Sequence, residues 1–450
     1  MRSYFQQTSH AAPLSVFRVA VGTMLLLSIV RFWCNGWIED LYIKPLHYFP
    51  FYGFEFVKPL GVYTYALFFI CGIAAFCFAI GLWYRIAAVT LFVSFTYIEL
   101  IDKSTYLNHY YFMSLVLFIM VFLPANRFFS VDAYRNNNLL AAYIPRWCID
   151  SIKLMVFILY FYAGIAKLNS DWLLHALPLK IWLPARNDMP VIGSLFNHQW
   201  IFYDFSWFGC VYDLSIVFLL WNKKTRLWAY IAVVIFHGLT AILFPIGMFP
   251  YVMIVAALIF FSPQVHLNVV NFISRLLKLR PTFTNATARF NYQPVMQKTL
   301  LCLFAIFFVV QFLFPFRYWL YKDELFWTEQ GYRFSWRVML IEKAGYTQFT
   351  VKDGTTGHAE IVNNSNFLTP LQEKMMSTQP DMILQFAHII KQHYQGKGFK
   401  TPQVYVDSYV ALNGRLGKPL IDPAVNLAEQ KDSFKPKTWI LPLNDEIKGF

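Results

Sequence analysis

Apolar stretches of bilayer-crossing length, about 20 residues with few charges, recur along the first two-thirds of this 450-residue chain and then stop. They are read at 14–33, 62–84, 86–101, 109–125, 148–168, 205–221, 227–244, 247–261 and 300–316. That makes nine spans, of which the third and eighth are short enough for one of them to be re-entrant. Only 14% of the residues are charged and 20% are aromatic, against roughly 25% charged in a soluble domain. Disorder, a coiled coil and a plain soluble enzyme are excluded. The expected fold class is a polytopic α-helical membrane bundle of about nine spans, residues 1–316, followed by a small α+β, β-rich domain, residues 317–450.

The charges set the topology. Of 38 basic residues 16 lie from Arg317 onward, and of 25 acidic residues 14 do, so the net positive charge belongs to the membrane part. The basic residues are scattered over short loops and do not form one soluble face, which argues against a nucleic-acid partner. With a cytoplasmic N-terminus, thirteen basic residues fall inside, among them Arg85, Arg127, Arg146, Lys223, Arg275, Arg280 and Lys298, against Lys44, Lys58, Lys103, Lys180 and Arg186 in the outer loops. The positive-inside rule therefore puts the C-terminal domain outside. The sequon at Asn285 then faces inward and the one at Asn363 outward. The first span is read as a retained helix, since no basic segment precedes it and no small-residue cleavage site follows. The six cysteines lie mostly in or beside spans and do not form a disulfide pattern.

The outer loops 34–61 and 169–204 are rich in Trp, Tyr, Phe and Pro, as re-entrant or interfacial segments are. The last inner loop, 262–298, is basic and suited to anionic headgroups. Alternation at 346–352 and 358–362 around Asp353-Gly354 predicts a hairpin, 371–393 a helix, and 403–412 a strand ending at the Asn413-Gly414 turn.

Ionisable groups in or beside spans are the candidate functional residues, because hydrocarbon disfavours them strongly. Asp150 and Lys153, three apart, pair most simply with each other. Arg18 reads as a snorkelling side chain, and the sequence does not decide whether Asp213 is a helix-to-helix hydrogen-bonding residue. Glu99, Asp102, His109, Lys167, Asp171 and His237 converge at the outer level of four spans, beside the aromatic loops. A pocket at that depth is the default site. Lys167 follows an apolar helix end, where desolvation favours the neutral, basic amine; a snorkelling or Asp171-paired lysine is the competing reading. A core imidazole is the competing reading for His109. No metal-ligand spacing is present.

At these residues the chain resembles the vitamin K-dependent gamma-glutamyl carboxylases. The matching stretches are Asp102-Lys-Ser-Thr-Tyr-Leu-Asn108-His109, Pro124-Ala-Asn126-Arg-Phe-Phe-Ser130-Val-Asp132, Tyr162-Ala-Gly164-Ile-Ala-Lys167-Leu168-Asn-Ser-Asp171-Trp172 and Ile246-Gly247-Met248-Phe249-Pro-Tyr251. Gln330-Gly331-Tyr332-Arg-Phe-Ser335-Trp336, Asp353-Gly354-Thr-Thr-Gly357, Pro402-Gln403-Val-Tyr405-Val-Asp407 and Ile421-Asp422-Pro423 continue it in the tail. The resemblance implies a base that deprotonates reduced vitamin K (menaquinol or phylloquinol), addition of O2, and rearrangement to a strongly basic alkoxide. That alkoxide takes a γ-proton from a peptide glutamate on the outer face, and CO2 adds to the carbanion while the quinone leaves as its epoxide. Lys167 matches the family's catalytic base and His109 its assisting histidine. Asn108, Tyr162, Met248, Phe249 and His237 are implied for the lipid-borne quinol, Arg337, Lys343, Trp336 and Tyr405 for the glutamate substrate, and no metal is implied.

Two departures bear on the substrate side. The paired basic residues of the motif contract to Ala166-Lys167, and the basic stretch of the animal enzymes after Trp336 reads Arg337-Val-Met-Leu-Ile341-Glu342-Lys343, with Glu342 opposing a carboxylate. The animal enzymes' long C-terminal extension has no counterpart before residue 450, a form that resembles bacterial homologues in an inner membrane. The alternatives are a quinol epoxidase without carboxylation and a non-catalytic lipid-binding or transport bundle.

Overall fold

A computed structural model describes residues 2–278 and 287–449; Arg280 and the sequon asparagine Asn285 lie outside the described residues. Numbering the helices of nine or more residues, α1 is Ala12–Cys34, α2 Thr64–Ile80, α3 Tyr84–Leu100, α4 Asn108–Phe122, α5 Trp147–Ile165 and α6 Gln199–Trp221. Then follow α7 Arg226–Leu243, α8 Phe249–Ala257, α9 Pro263–Leu276, α10 Pro294–Leu313 and α11 Pro380–Gly396. Proline in the first turn opens α1, α8, α9, α10 and α11, where its missing N–H costs nothing and its fixed φ suits the helix.

Six helices among the described residues are long and apolar enough to cross a membrane: α1, α2 with its entry turn from Gly61, α5, α6, α7 and α10 with its extension to Leu320. The other three expected spans fall outside that measure, so that six, or seven with the bent pair taken as one span, stand where nine were expected. α3 and α4 have 17 and 15 residues, about 26 and 22 Å at 1.5 Å per residue, against a hydrocarbon core of about 30 Å. The eighth segment runs to Phe260 and then bends by 113° into α9, as a broken span or re-entrant loop does. Large apolar side chains stud the flanks of the bundle, among them Phe69, Ile86, Phe208, Trp228 and Val309. The molecule is an integral membrane protein.

Arg18 does not snorkel. It is fully buried and donates to the carbonyls of Ala79, Ala125 and Phe129. Ala79 lies in the last turn of α2, whose carbonyls have no partner within the helix, and a guanidinium with five donors satisfies that acceptor and two loop carbonyls at once. Gly81 closes α2 at φ 69°, and a Cβ there would meet the Arg18 guanidinium at 2.7 Å. Asp150 and Lys153 pair at 3.5 Å, with Arg146 and the Tyr4 hydroxyl completing the carboxylate's shell.

Beyond α10 the chain builds a sheet in the order β4-β3-β5-β6, from β3 (Lys343–Asp353), β4 (Ala359–Ile361), β5 (Pro402–Leu412) and β6 (Lys418–Pro419); β1 (Thr8–His10) and β2 (Tyr143–Pro145) pair separately. β3 and β5 are antiparallel over their whole length, Lys343 opposite Leu412 and Asp353 opposite Pro402. Alternate residues Phe349, Val351, Val404, Val406 and Val410 are buried, and α11 packs on that face, Phe349 meeting Phe386 ring to ring at 5.0 Å. The expected hairpin forms, and Asn413-Gly414 turns with both residues at positive φ. The expected helix breaks in two, Pro370–Met376 and α11, because Pro380 disfavours helical backbone at Gln379.

This C-terminal region sits on the bundle through buried charges. Lys103 and Arg333 both bind Asp381, at 2.6 and 2.7 Å, and Gln372 donates to Asp102 at 2.7 Å. Arg415 grips Asp171 with two bonds of 2.7 Å while Asn413 adds a third of 2.8 Å.

Candidate active site

Lys167 stands just past the end of α5, in a turn closed by its own N–H on the Gly164 carbonyl. Its side chain folds back along the helix to the Ala163 carbonyl, 3.2 Å, and meets the Asp213 carboxylate of α6 at 2.7 Å. Gly164 makes this possible: a Cβ there would lie 2.7 Å from Leu214 and 2.9 Å from its backbone nitrogen, so glycine lets α5 and α6 touch one residue from Asp213. Both charged side chains are about 8% exposed, and the amine lies 5.3 Å from the Trp172 ring. Asp171 takes no part; it is consumed by Arg415 and Asn413. A buried lysine without a carboxylate carries an uncompensated charge, so the pair stands or falls together.

The pair forms part of the wall of a cavity of about 760 Å³ between α5, α6 and α7, lined mostly by apolar and aromatic side chains. His237 is also in the wall, its Nε2 2.9 Å from the Tyr160 hydroxyl and its Nδ1 buried without a partner. Trp172 and Leu179 from the second aromatic loop close one side. Trp207, Phe208 and Ile235 line the cavity and are each more than half exposed, so it opens sideways on the apolar flank, between α6 and α7.

A second cavity, about 600 Å³, is polar and lies on the C-terminal region's side, with Arg337, Glu324, Tyr318 and Asn169 in its wall. The Arg337 guanidinium is buried, 4.6 Å from the Tyr318 ring. One strand of chain divides the two cavities: Arg337 faces the polar one, and Val338 and Met339 line the apolar one. Phe334, Trp336 and Met339 hold positive φ along that strap, a costly backbone for side-chain-bearing residues that clusters at functional sites.

The other expected site residues divide. Phe249 lines the apolar cavity between the two imidazoles, its ring 5.6 Å from His237 and 6.0 Å from His109. His109 is buried behind Phe249, its Nε2 unpartnered. Asn108 accepts from Tyr106 and donates to the Arg337 carbonyl at 2.9 Å, tethering the strap. Tyr162 reaches the Phe312 carbonyl of α10 and, like Met248, lies outside the cavity wall. Trp336 is buried, stacked on Tyr111 at 4.9 Å. Lys343 is taken by Glu329 at 2.8 Å and the Trp327 carbonyl at 2.9 Å, leaving it committed to the fold. Tyr405 lies on the sheet face opposite the buried valines, bonded to Gln403, away from both cavities. Glu342 does not oppose Arg337; it accepts from Trp182 Nε1. Glu99 bonds Ser114 beside a small separate cavity, and Asp102 belongs to the interface with the C-terminal region. Asp213 as the partner of Lys167, and Tyr160 as the partner of His237, went unassigned in the sequence. The signals available were Gly164, three residues before Lys167, and Tyr160, seven before it on the same helix face.

No solved structure matches the chain. The HTTM domain family model matches residues 6–264, more than half of the chain, and the lumenal domain of vitamin K-dependent gamma-carboxylase matches residues 296–446. The first match supplies most of the apolar chamber's wall, and the second holds the sheet, the strap and most of the polar chamber's wall. The chain belongs to the vitamin K-dependent gamma-glutamyl carboxylase family, with an HTTM-type membrane region.

Proposed function

We propose that this protein couples epoxidation of reduced vitamin K by O2 to carboxylation of a peptide glutamate by CO2, across the strap that divides its two cavities. The observation that carries the reading is the junction itself: Lys167 faces an apolar chamber open to the membrane flank, and Asn169, two residues on, faces a polar chamber that holds Arg337. The residues fit a lipid-borne hydroquinone. The chamber has the volume of a small-molecule site, its wall is apolar, and its polar atoms are a buried amine–carboxylate pair and an unpartnered imidazole nitrogen. When bound, the reduced vitamin supplies, on oxidation by O2, the strong base that takes the γ-proton of glutamate.

This chain's residues do the rest. In its neutral form Lys167 accepts the first proton from the hydroquinone, and Asp213 stabilises the ammonium that results, so that the ion pair is the state after the transfer. Trp172, Phe249 and the residues of the strap exclude water from the chamber. Arg337 pairs with the γ-carboxylate in the polar chamber, a charge-assisted contact. His109, behind Phe249, assists through a ring one layer removed from the wall. In this reading residues 1–316 form the membrane domain and 317–450 an outer domain, the N-terminus is cytoplasmic, the membrane is a bacterial inner membrane, and no metal takes part. The test is a paired assay on purified protein with menaquinol, O2, labelled bicarbonate and a glutamate peptide. Epoxide and labelled peptide are expected together; epoxide without label would leave a quinol epoxidase, and neither product a non-catalytic bundle.

A further inference from the structure

The seam between the bundle and the C-terminal region encloses a third cavity, of about 260 Å³. Its wall joins the first aromatic loop, the turn after α10 and the loops around Arg333 and Lys437. The mouth is aromatic: Tyr52, Phe54 and Phe434 line it and are each more than 40% exposed. The charges in the wall do not balance. Asp381 faces two cations, Lys103 and Arg333. Asp432 is answered by Lys437 at 3.1 Å and Glu329 by Lys343 at 2.8 Å. Arg317 donates to the backbone carbonyls of Phe314 and Arg333 and has no carboxylate partner among the described residues. Glu55, next to Phe54 in the chain, is exposed and bonded to the Gly53 N–H. Two positive charges therefore remain. Surplus buried charge is costly, and the Lys103 side chain is only 2% exposed. Burial, with the Arg333 guanidinium adding to it, presses the Lys103 amine below its ordinary value against the pull of Asp381. Gln330, in the same wall, is 8% exposed; its Oε1 accepts from the Lys437 N–H, and its Nε2 is a buried donor without a partner.

We propose that this cavity binds a dianionic dicarboxylate of the malonate type, with Arg317 as its principal contact. Two of the five guanidinium donors are used by the backbone carbonyls, which leaves three for a carboxylate. The Lys103–Arg333 corner supplies the second positive charge, and the volume leaves room for carbon between the two carboxylates. Tyr321 lines both this cavity and the polar chamber of Arg337, so the two are neighbours across one side chain. Two sources supply the chemistry, a free dicarboxylate and a dicarboxylate side chain on a peptide. The site does not draw on the quinol reading, and the epoxidase assay tests that reading separately.

The test is isothermal titration of the full chain in detergent, at low salt because the attraction is screened, with malonate, acetate and sulfate. Malonate is expected to bind about tenfold more tightly than either reference. Arg317→Gln should weaken malonate about tenfold and Arg317→Lys recover part of the loss, with melting temperatures showing that both variants fold; Gln330→Met, which removes the spare donor, should weaken it at least threefold. Arg337→Gln, in the polar chamber, should leave malonate affinity unchanged. Absence of malonate binding, unchanged binding in Arg317→Gln, or a loss in Arg337→Gln would each overturn the site, and sulfate binding as tightly as malonate would overturn the dicarboxylate assignment. A capped peptide with one γ-carboxyglutamate then separates the sources: displacement of malonate by the peptide assigns the site to a peptide side chain, and malonate binding undisturbed by it assigns the site to a free dicarboxylate.

Discussion

At the scale of single residues the decisive object is the Lys167–Asp213 pair. Two buried charges at 2.7 Å add little net stability, because desolvation offsets their attraction, whereas removing one partner strands the other and costs about 3–5 kcal/mol. Function and stability therefore separate in a definite way. Lys167→Ala should abolish epoxide formation, and Asp213→Asn should lower it by roughly 10²-fold or more, the range of general-base contributions. The double replacement Lys167→Met with Asp213→Leu should melt at or above the temperature of the unmodified protein, measured by thermal unfolding in detergent, and yet turn over nothing. A double variant that kept its turnover would remove the pair from the chemistry. Gly164→Ala tests the geometry: with Leu214 2.7 Å from the added carbon, α5 must move off α6, and activity should fall at least tenfold with the charges untouched. Much of this was legible in the sequence, since the lysine stood out as an amine at an apolar helix end. Its partner did not, because α5 and α6 are joined by a long loop and nothing local says that residue 213 returns to residue 167. Arg18 misled for a related reason: snorkelling is the rule for a lone arginine near a span end, and only the folded chain shows three backbone carbonyls gathered around it.

At the scale of elements, the seam between bundle and sheet is made of ion pairs drawn from segments more than 200 residues apart. Burial alone would push the Asp381 carboxyl up, but Arg333 and Lys103 hold it well below its ordinary value. A carboxyl depressed on folding contributes stability that is present above its unfolded pKa, about 3.9, and is lost as the pH falls toward its folded value. Asp381→Asn should therefore cost about 3 kcal/mol at neutral pH, and the difference in melting temperature from the unmodified protein should be constant from pH 8 to pH 5 and shrink below about pH 4. Strands and turns of the C-terminal region were readable from alternation and from Asn-Gly and Asp-Gly pairs, which are local signals. The seam was not, because Asp102 and Asp171 read as site residues and Lys103 as a loop charge until their partners Gln372, Arg415 and Asp381 are placed beside them.

At the scale of the whole molecule, the proposed orientation, in which the bent α8–α9 pair counts as one crossing beside the six long helices, places Asn363, exposed in the C-terminal region, and the Lys223-Lys224 turn between α6 and α7 on opposite sides of the membrane. In a cysteine-free background, Asn363→Cys should react with a membrane-impermeant maleimide added outside intact cells, and Lys223→Cys only after lysis. The reverse pattern would turn the molecule over and take the peptide chamber away from secreted substrates. Hydropathy made the membrane class plain and marked the third and eighth spans as short, but apolarity alone does not report which helix stops short and which bends.

The sideways mouth between α6 and α7 changes how concentration itself must be counted. A reactant that enters there is drawn from a two-dimensional pool, so what the enzyme senses is the number of quinols per lipid or detergent molecule, not per litre of buffer. Adding empty micelles at fixed total quinol should slow turnover in proportion to the dilution of that surface, whereas adding buffer at a fixed quinol-to-detergent ratio should leave the rate per enzyme unchanged.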